Sequence, residues 1–264
     1  MVTVTEQTDF IVFLGTAGAR VMVSKQFLAS GGAWLNLSGT EILLDPGPGT
    51  LVRAIKKKLD PTRLDAIILS HKHLDHSVDI NIMIEAMTDA GWKRRGMVLA
   101  PSDAMNNREG VILPYLMGYP EKIETLAAGK SYTIGDVTVE TPVRHKHSVE
   151  TYGLFFRTPQ YTISWIVDTG YFEDLTSYYK SDLLVINTVM MEHKPMVEHL
   201  SLEEVGQVIR QVKPKIAIIT HFGMSIWRAR PWEIAKQLSD ETGVLVISAR
   251  DGMKFDMAQL TRIS

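Results

Sequence analysis

Short apolar runs alternate with amphipathic stretches along most of the chain. Runs typical of buried strands occur at 10–14, 33–37, 41–44, 66–69, 97–100, 137–143, 152–156, 161–167, 183–187, 215–220 and 244–247. Helical periodicity occurs at 50–59, 77–90, 202–212 and 231–241. Because strands and helices alternate in two rounds, the pattern predicts an α/β fold in which helices cover sheets.

Composition narrows the class of protein. The chain has 264 residues, 45% of them hydrophobic, which is enough for a substantial core. A net charge of −2 gives no broad nucleic-acid footprint, and the clusters 56–58 and 93–95 are interpreted as solvated faces. With no cysteine, disulfides and thiolate ligands are excluded. The termini carry no long apolar helix and no signal or transit-type stretch, so the expectation is a cytoplasmic protein without membrane contact.

The block His71-Lys72-His73-Leu74-Asp75-His76 directly follows a buried run and has the character of a metal site. Side chains alternate along an extended chain, so His71 and His73 leave the strand end on the same side, while Lys72 points away. Asp75 is predicted to cap the helix at 77–90. Together with His76 it faces back toward the first pair, where a second ion could bind beside the first.

This block resembles the ligand signature of the metallo-β-lactamase superfamily, and the resemblance spans nearly the whole chain. The family has three further ligands near strand ends. His147 is identified with the first of them because the segment from His147 resembles the H-S-V segment of ribonuclease Z-like members. Asp168, at the end of the run 161–167, matches a bridging aspartate, and His221, after the run 215–220, matches the last histidine. His145 is the competitor for the position of His147, with an exposed or a supporting role as its alternative.

The resemblance implies an αββα four-layer sandwich (the metallo-β-lactamase fold) in one domain, residues 1–264, since the ligands must converge. It implies two divalent metal ions: His71, His73 and His147 on one, Asp75, His76 and His221 on the other, and Asp168 between them. This donor set suits Zn²⁺, although Mn²⁺, Fe²⁺ or Co²⁺ would also bind. A related redox-iron branch has Glu where His73 stands, so that chemistry is disfavoured. Asp45 is expected to orient a ligand imidazole.

A second resemblance concerns His199-Leu200-Ser201, which is similar to the H-x-S/T segment of the ribonuclease Z and phosphodiesterase branch. It implies that His199 faces the substrate and stabilises charge on the reacting phosphorus group; the alternative is a loop residue before a helix. Ser201 is predicted to cap the helix at 202–212. His193 has no such match and is predicted to lie on the surface.

These assignments predict a dinuclear-metal-dependent hydrolase that cleaves a phosphodiester with a metal-bridging hydroxide. Asp75 would orient that hydroxide and accept its proton, and His199 would stabilise or protonate the leaving oxygen. The expected partner is a small anionic substrate, such as a cyclic nucleotide, or a short nucleic acid. Lactone or thioester hydrolysis, or a non-catalytic binding protein that keeps the fold, are the alternatives. The resemblance also suggests pairing into homodimers.

One departure from the tRNA-processing enzyme is informative. That enzyme inserts a tRNA-gripping arm between the third histidine and the bridging aspartate, whereas only 148–167 separate His147 from Asp168 here. We therefore expect a small phosphodiester rather than precursor tRNA as substrate. Segments 102–129 and 224–232 could cover the pocket or could simply pack on the body of the protein.

Overall fold

The computed structural model describes residues 8–106 and 108–261. Its strands are Phe10–Phe13 (β1), Ala33–Leu37 (β2), Thr40–Leu44 (β3), Ala66–Ile68 (β4), Met97–Ala100 (β5), Lys122–Thr125 (β6), Lys130–Ile134 (β7), Val137–Thr141 (β8), Leu154–Arg157 (β9), Thr162–Ile166 (β10), Leu183–Asn187 (β11), Ile216–Thr220 (β12), Leu245–Ser248 (β13) and Met253–Asp256 (β14). The α-helices are Ala19–Lys25 (α1), Thr50–Lys56 (α2), Leu74–Ser77 (α3), Ile80–Met87 (α4), Leu202–Val212 (α5), Met224–Arg228 (α6) and Pro231–Thr242 (α7).

The strands form two seven-stranded sheets with matching architecture. The first sheet has the order β14-β1-β2-β3-β4-β5-β6, and the second has the order β13-β12-β11-β10-β9-β8-β7. Each sheet has three antiparallel pairings and three parallel ones. Strands β3 to β6 run parallel in the first sheet, and strands β10 to β13 run parallel in the second. Every residue of the inner strand β12 is buried, as expected for a parallel strand covered on both faces.

Three cores separate four layers. One lies between the sheets and includes Phe13, Leu35 and Trp165. A second lies beneath α2 and α4 on the outer face of the first sheet, and a third lies beneath α5, α6 and α7 on the outer face of the second. The predicted αββα sandwich is therefore confirmed. Among the described residues, no helix combines the length and the apolar character needed to cross a bilayer.

The parallel strands place the candidate ligands. Side chains that follow parallel strands in register collect at one edge of a sheet, which is where sites in open α/β sheets form. Asp45 follows β3 and His71 lies beyond the end of β4, while Asp168 and His221 follow β10 and β12. Both sheets deliver these ends to the same side of the sandwich, which brings together residues far apart in sequence.

The predicted helix over 77–90 is wrong in one respect, because two helices, α3 and α4, occupy this region with a break at residues 78–79. Asp75 lies inside α3, and neither helix has a side-chain hydrogen bond at its N-cap, so Asp75 is not the predicted cap. Asp79, in the break, instead accepts hydrogen bonds from the backbone N–H groups of Gly49 and Leu51 at the start of α2. Five elements were not predicted: α1, α6, β6, β7 and β14.

Candidate metal centre

His71, His73 and His147 converge, and each offers a ring nitrogen that lies within 4.8 Å of the other two. His73 Nδ1 lies 3.1 Å from His147 Nε2. His147 is held from two sides. Its neighbour Lys146 pairs with Gly170 in a bridge to the chain beyond β10, and the Nδ1 atom of His147 lies 3.1 Å from the Glu198 carbonyl oxygen. An N–H at Nδ1 donates to that carbonyl, which leaves Nε2 with a lone pair aimed at the cluster.

Asp75, His76 and His221 form a second cluster with the same property. The Nε2 atoms of His76 and His221 lie 2.9 Å apart, and Asp75 Oδ2 lies 3.4 Å from His221 Nε2 and 3.7 Å from His76 Nε2. His221 is in the left-handed region with φ of 58°, which is uncommon for a residue with a side chain and is typical of functional sites.

Asp168 lies between the two clusters. Its Oδ2 atom is 3.7 Å from His71 Nε2 and 3.6 Å from His76 Nε2, and its Oδ1 atom is 3.4 Å from His221 Nδ1. All seven predicted ligands are thus brought together, and Asp168 has the central position that a bridging carboxylate requires. Their binding of metal stays a prediction.

The protonation states of the site residues favour the binding of a cation. Burial lowers the pKa of His71, His73 and His147, so these imidazoles are neutral and can coordinate through a lone pair. Burial opposes protonation of His76 as well, but the carboxylates of Asp75 and Asp45 outweigh it and raise the pKa of His76 well above its usual value. The same carboxylates would attract a divalent ion in place of that proton.

One buried atom tests whether these residues fit a metal ion. His71 is fully buried, and its Nε2 atom has no hydrogen-bond partner among the described residues. An orphaned buried nitrogen costs free energy unless something satisfies it. It faces Asp168 and belongs to the first cluster, so the donor set fits a divalent ion bound there.

Asp45 also lies near His71 and His76 but is already engaged. Its Oδ2 atom accepts from the Ser70 hydroxyl and lies 2.9 Å from His76 Nδ1, and its Oδ1 atom accepts from the Ser70 backbone N–H. The predicted orientation of a ligand imidazole by Asp45 is therefore present in the geometry. Fixing a proton on His76 Nδ1 directs His76 Nε2 toward the second cluster.

His145 is buried, so the exposed alternative for this residue is wrong. Its Nε2 atom lies 2.8 Å from the Tyr179 hydroxyl and its Nδ1 atom 3.3 Å from the backbone carbonyl of Asp168. Burial lowers its pKa to about 4, so His145 is neutral at neutral pH. His145 therefore contacts the backbone of Asp168 and is not part of either cluster.

His199 lies beside the clusters at their solvent side. Its side chain is 15% exposed, and its Nδ1 atom is 3.8 Å from Asp168 Oδ2. Burial lowers its pKa, so the imidazole is neutral and can donate one hydrogen bond. Ser201 caps α5 as predicted and forms a capping box with Glu204, which fixes the segment that carries His199. His193 is exposed, as predicted.

The two segments considered as covers have different surroundings. In segment 102–129, Ala104, Ile112 and Leu116 are buried in the core beneath α4, so this segment packs on the body of the protein. Ser102 and the backbone of Asp103 donate to Glu150, which ties the segment to the loop of His147. In segment 224–232, α6 buries Ile226 and leaves Trp227 partly exposed.

Asn187 was not singled out from the sequence. It ends β11 and donates a hydrogen bond of 2.8 Å from Nδ2 to Oδ1 of Asp168. The sequence pattern could have indicated this residue. Asn187 ends the apolar run 183–187, and the preceding run, 161–167, is followed by Asp168. A polar side chain at such a strand end is a candidate for the site.

Comparison with known proteins identifies the family and agrees with the fold. The profile of the Beta-lactamase superfamily domain matches residues 40–222. An uncharacterized protein of Methanocaldococcus jannaschii is 29% identical over 94% of both chains. A ribonuclease Z of Methanopyrus kandleri is 24% identical over 91% of this chain and 95% of its own. The metallo-beta-lactamase fold protein YhfI from Bacillus subtilis has a similar structure, with a TM-score of 0.78 and 17% identity over 95% of this chain and all of its own.

Proposed function

Because the chain belongs to the beta-lactamase superfamily, we propose that it is a hydrolase that uses two divalent metal ions to cleave a small phosphodiester. The observation that carries the proposal is the convergence of two nitrogen-rich clusters on Asp168, with Oδ2 of Asp168 within 3.7 Å of a ring nitrogen from each. His71, His73 and His147 would hold one ion, Asp75, His76 and His221 the other, and Asp168 both. Zn²⁺ suits this donor set best.

When bound, two divalent ions supply the positive charge that lowers the pKa of a shared water and stabilises negative charge on the reacting oxygens. The four positive charges of two divalent ions would exceed the three negative charges of Asp45, Asp75 and Asp168, so an anionic ester is favoured. The ribonuclease Z of Methanopyrus kandleri, similar over most of both chains, supports a phosphodiester in particular.

Asp75 would orient the attacking water. Burial raises the pKa of its carboxyl group, but the charges and hydrogen bonding of His76 and His221 outweigh burial and hold that pKa well below its usual range. A carboxylate of this kind accepts a hydrogen bond readily and a proton poorly. We therefore assign to Asp75 the alignment of the water rather than the removal of its proton.

His199 would stabilise the charge that develops on the phosphoryl or leaving oxygen. It is neutral, only 15% exposed and close to Asp168, so it can donate a hydrogen bond toward a substrate held between the clusters. A donor that is already fixed in a partly dry site costs little reorganisation at the moment of reaction. Its segment is anchored by the capping box of Ser201.

The experiment measures hydrolysis of bis(p-nitrophenyl) phosphate together with a lactone and a thioester panel. We expect turnover of the phosphodiester that disappears in His73→Ala while the thermal unfolding midpoint stays near that of the wild type. His193→Ala is the matched control, because His193 is an exposed histidine outside both clusters whose ring nitrogen lies 3.2 Å from Glu204. Turnover retained after complete removal of metal would refute the mechanism, and activity confined to lactones or thioesters would refute the substrate class.

A further inference from the structure

Two aromatic side chains stack on each other at the protein surface. The ring centroids of Phe27 and Trp227 are 5.3 Å apart and their planes differ by 13°. Phe27 is 48% exposed and Trp227 is 36% exposed. Each ring covers part of the other, but the pair still leaves aromatic surface in contact with water, where a third planar group could add to the stack.

The two rings belong to segments that meet beside His221. α6, which carries Trp227, begins directly after His221-Phe222-Gly223, and the N–H of Trp227 donates to the carbonyl of Gly223. α1, which precedes Phe27, begins directly after Gly18, whose N–H donates to the carbonyl of Phe222. Segments 17–27 and 221–228 therefore meet at His221-Phe222, and Trp227 lies one helical turn after Gly223.

Basic residues lie in the same two segments as the pair. Arg20 and Lys25 lie in α1 and Arg228 follows Trp227; all three are exposed. Among the described residues they form no ion pair, whereas the nearby Arg230 is paired with Glu233. The sequence has no acidic residue at 10–40 or at 221–232. The two segments thus combine exposed aromatic surface with three basic side chains, and the Asp251 carboxylate beside them accepts hydrogen bonds from Thr16 and from the backbone of Ala29. Exposed rings accompanied by basic side chains bind single-stranded nucleic acids and nucleotides.

We propose that Phe27 and Trp227 form a stacking subsite for the nucleobase of a nucleotide ester whose phosphodiester is held at the clusters. This inference rests on the proposed function and extends it to a substrate class, phosphodiesters that carry a base. Arg20, Lys25 and Arg228 attract the anionic substrate to this side of the site, and the stacked rings hold its planar group. Stacking of one base on such a pair favours base-bearing esters on the order of tenfold or more over esters without an aromatic group.

The test uses two esters with one leaving group. Thymidine 5′-(p-nitrophenyl phosphate) and methyl p-nitrophenyl phosphate both release p-nitrophenol, so a difference in kcat/KM reports the other ester group. We expect the wild type to prefer the thymidine ester, chiefly through a lower KM. Phe27→Ala and Trp227→Ala should reduce this ratio about tenfold, and Trp227→Phe should retain most of it. Trp92→Ala is the matched control, because Trp92 is 87% exposed and lies outside both segments.

A binding measurement separates failure of the subsite from failure of the proposed function. Calorimetry with thymidine 5′-monophosphate should give weaker binding to Trp227→Ala than to the wild type or Trp92→Ala. If the wild type hydrolyses neither ester but this difference in binding is found, the proposed function fails and the subsite stands. An unchanged ester ratio in both alanine variants, or equal binding of the monophosphate to all three proteins, overturns the subsite.

Discussion

The amide of Asn187 donates a hydrogen bond of 2.8 Å to Oδ1 of Asp168, and both side chains are buried. Asn187 is the last residue of β11, and Asp168 follows the neighbouring parallel strand β10. With Oδ1 held by Asn187, the carboxylate cannot rotate freely, and Oδ2 stays between His71 and His76. Asn187 is therefore a positioning residue for the central carboxylate.

Asn187→Ala should weaken metal retention about 10- to 100-fold, the usual effect of removing a group that orients a ligand. The measurement is the apparent affinity for Zn²⁺ in competition with a chelator. Asn81→Ala is the control, because Asn81 is likewise an asparagine with a hydrogen-bonded side chain, here to the backbone of Val111 and Leu113, but lies outside the clusters. Both variants should lose about 1–2 kcal/mol of stability. Equal metal affinity in both would show that Asn187 does not position Asp168.

His199→Ala should reduce kcat on bis(p-nitrophenyl) phosphate by about 10²-fold or more while leaving the metal content unchanged, because His199 acts on the substrate and is not a ligand. Steady-state kinetics and metal analysis of the same preparation test this. Loss of metal in the variant would instead make His199 part of the metal centre, and a kcat equal to that of the wild type would remove it from the mechanism.

Gly18→Ala should disturb His221. A Cβ atom at this position would lie 2.3 Å from His221 Nδ1 and 2.4 Å from its carbonyl oxygen, so both the ring and the backbone would have to move. We expect lower metal content and a loss of about 1–3 kcal/mol in the free energy of unfolding. Gly118→Ala is the matched control, because a Cβ atom there meets nothing within 4 Å. Wild-type metal content in Gly18→Ala would contradict this packing.

Asp182 links stability to pH away from the metal centre. Partial burial raises its pKa, but hydrogen bonds from the backbone N–H and hydroxyl of Thr162, with the ammonium of Lys215, outweigh burial and lower that pKa. A lowered folded-state pKa stabilises the protein above the usual range of Asp, and this stabilisation is lost as pH falls through the folded value. Asp182→Asn should cost about 1 kcal/mol at pH 7.

Urea unfolding of the wild type and Asp182→Asn at several pH values tests this prediction. The difference in free energy of unfolding should be constant at neutral pH and shrink as the pH falls below about 5 toward 3, where the carboxylate of the wild type becomes protonated. A difference that stays constant over this range would contradict the assignment.

The sequence predicted the strands that carry the site because parallel strands buried on both faces are continuous apolar runs. Each ligand after β4, β10 and β12 follows such a run, so its position could be inferred locally. Strands β6, β7 and β14 were missed because each alternates apolar with charged or polar residues and all three lie at or next to a sheet edge. Their pairing depends on partners distant in sequence.

The details of the site depended on contacts that local patterns do not contain. Asp79 interrupts the predicted helix at 77–90, and its carboxylate bonds to the start of α2, some thirty residues earlier in the chain. His145 was harder to judge than His147 because both lie in one short segment. The two histidines differ in the direction of their rings: His145 faces Tyr179, whereas His147 faces His73.

The most direct test of the central claim is the metal content of the purified protein, measured by inductively coupled plasma mass spectrometry after incubation with Zn²⁺ and desalting. Two clusters that share Asp168 predict two ions per chain in the wild type and in His193→Ala. His73→Ala, which removes a ligand from one cluster only, should bind about half as much. A wild-type protein that retains no divalent metal, or a His73→Ala variant that retains as much as the wild type, would contradict the account.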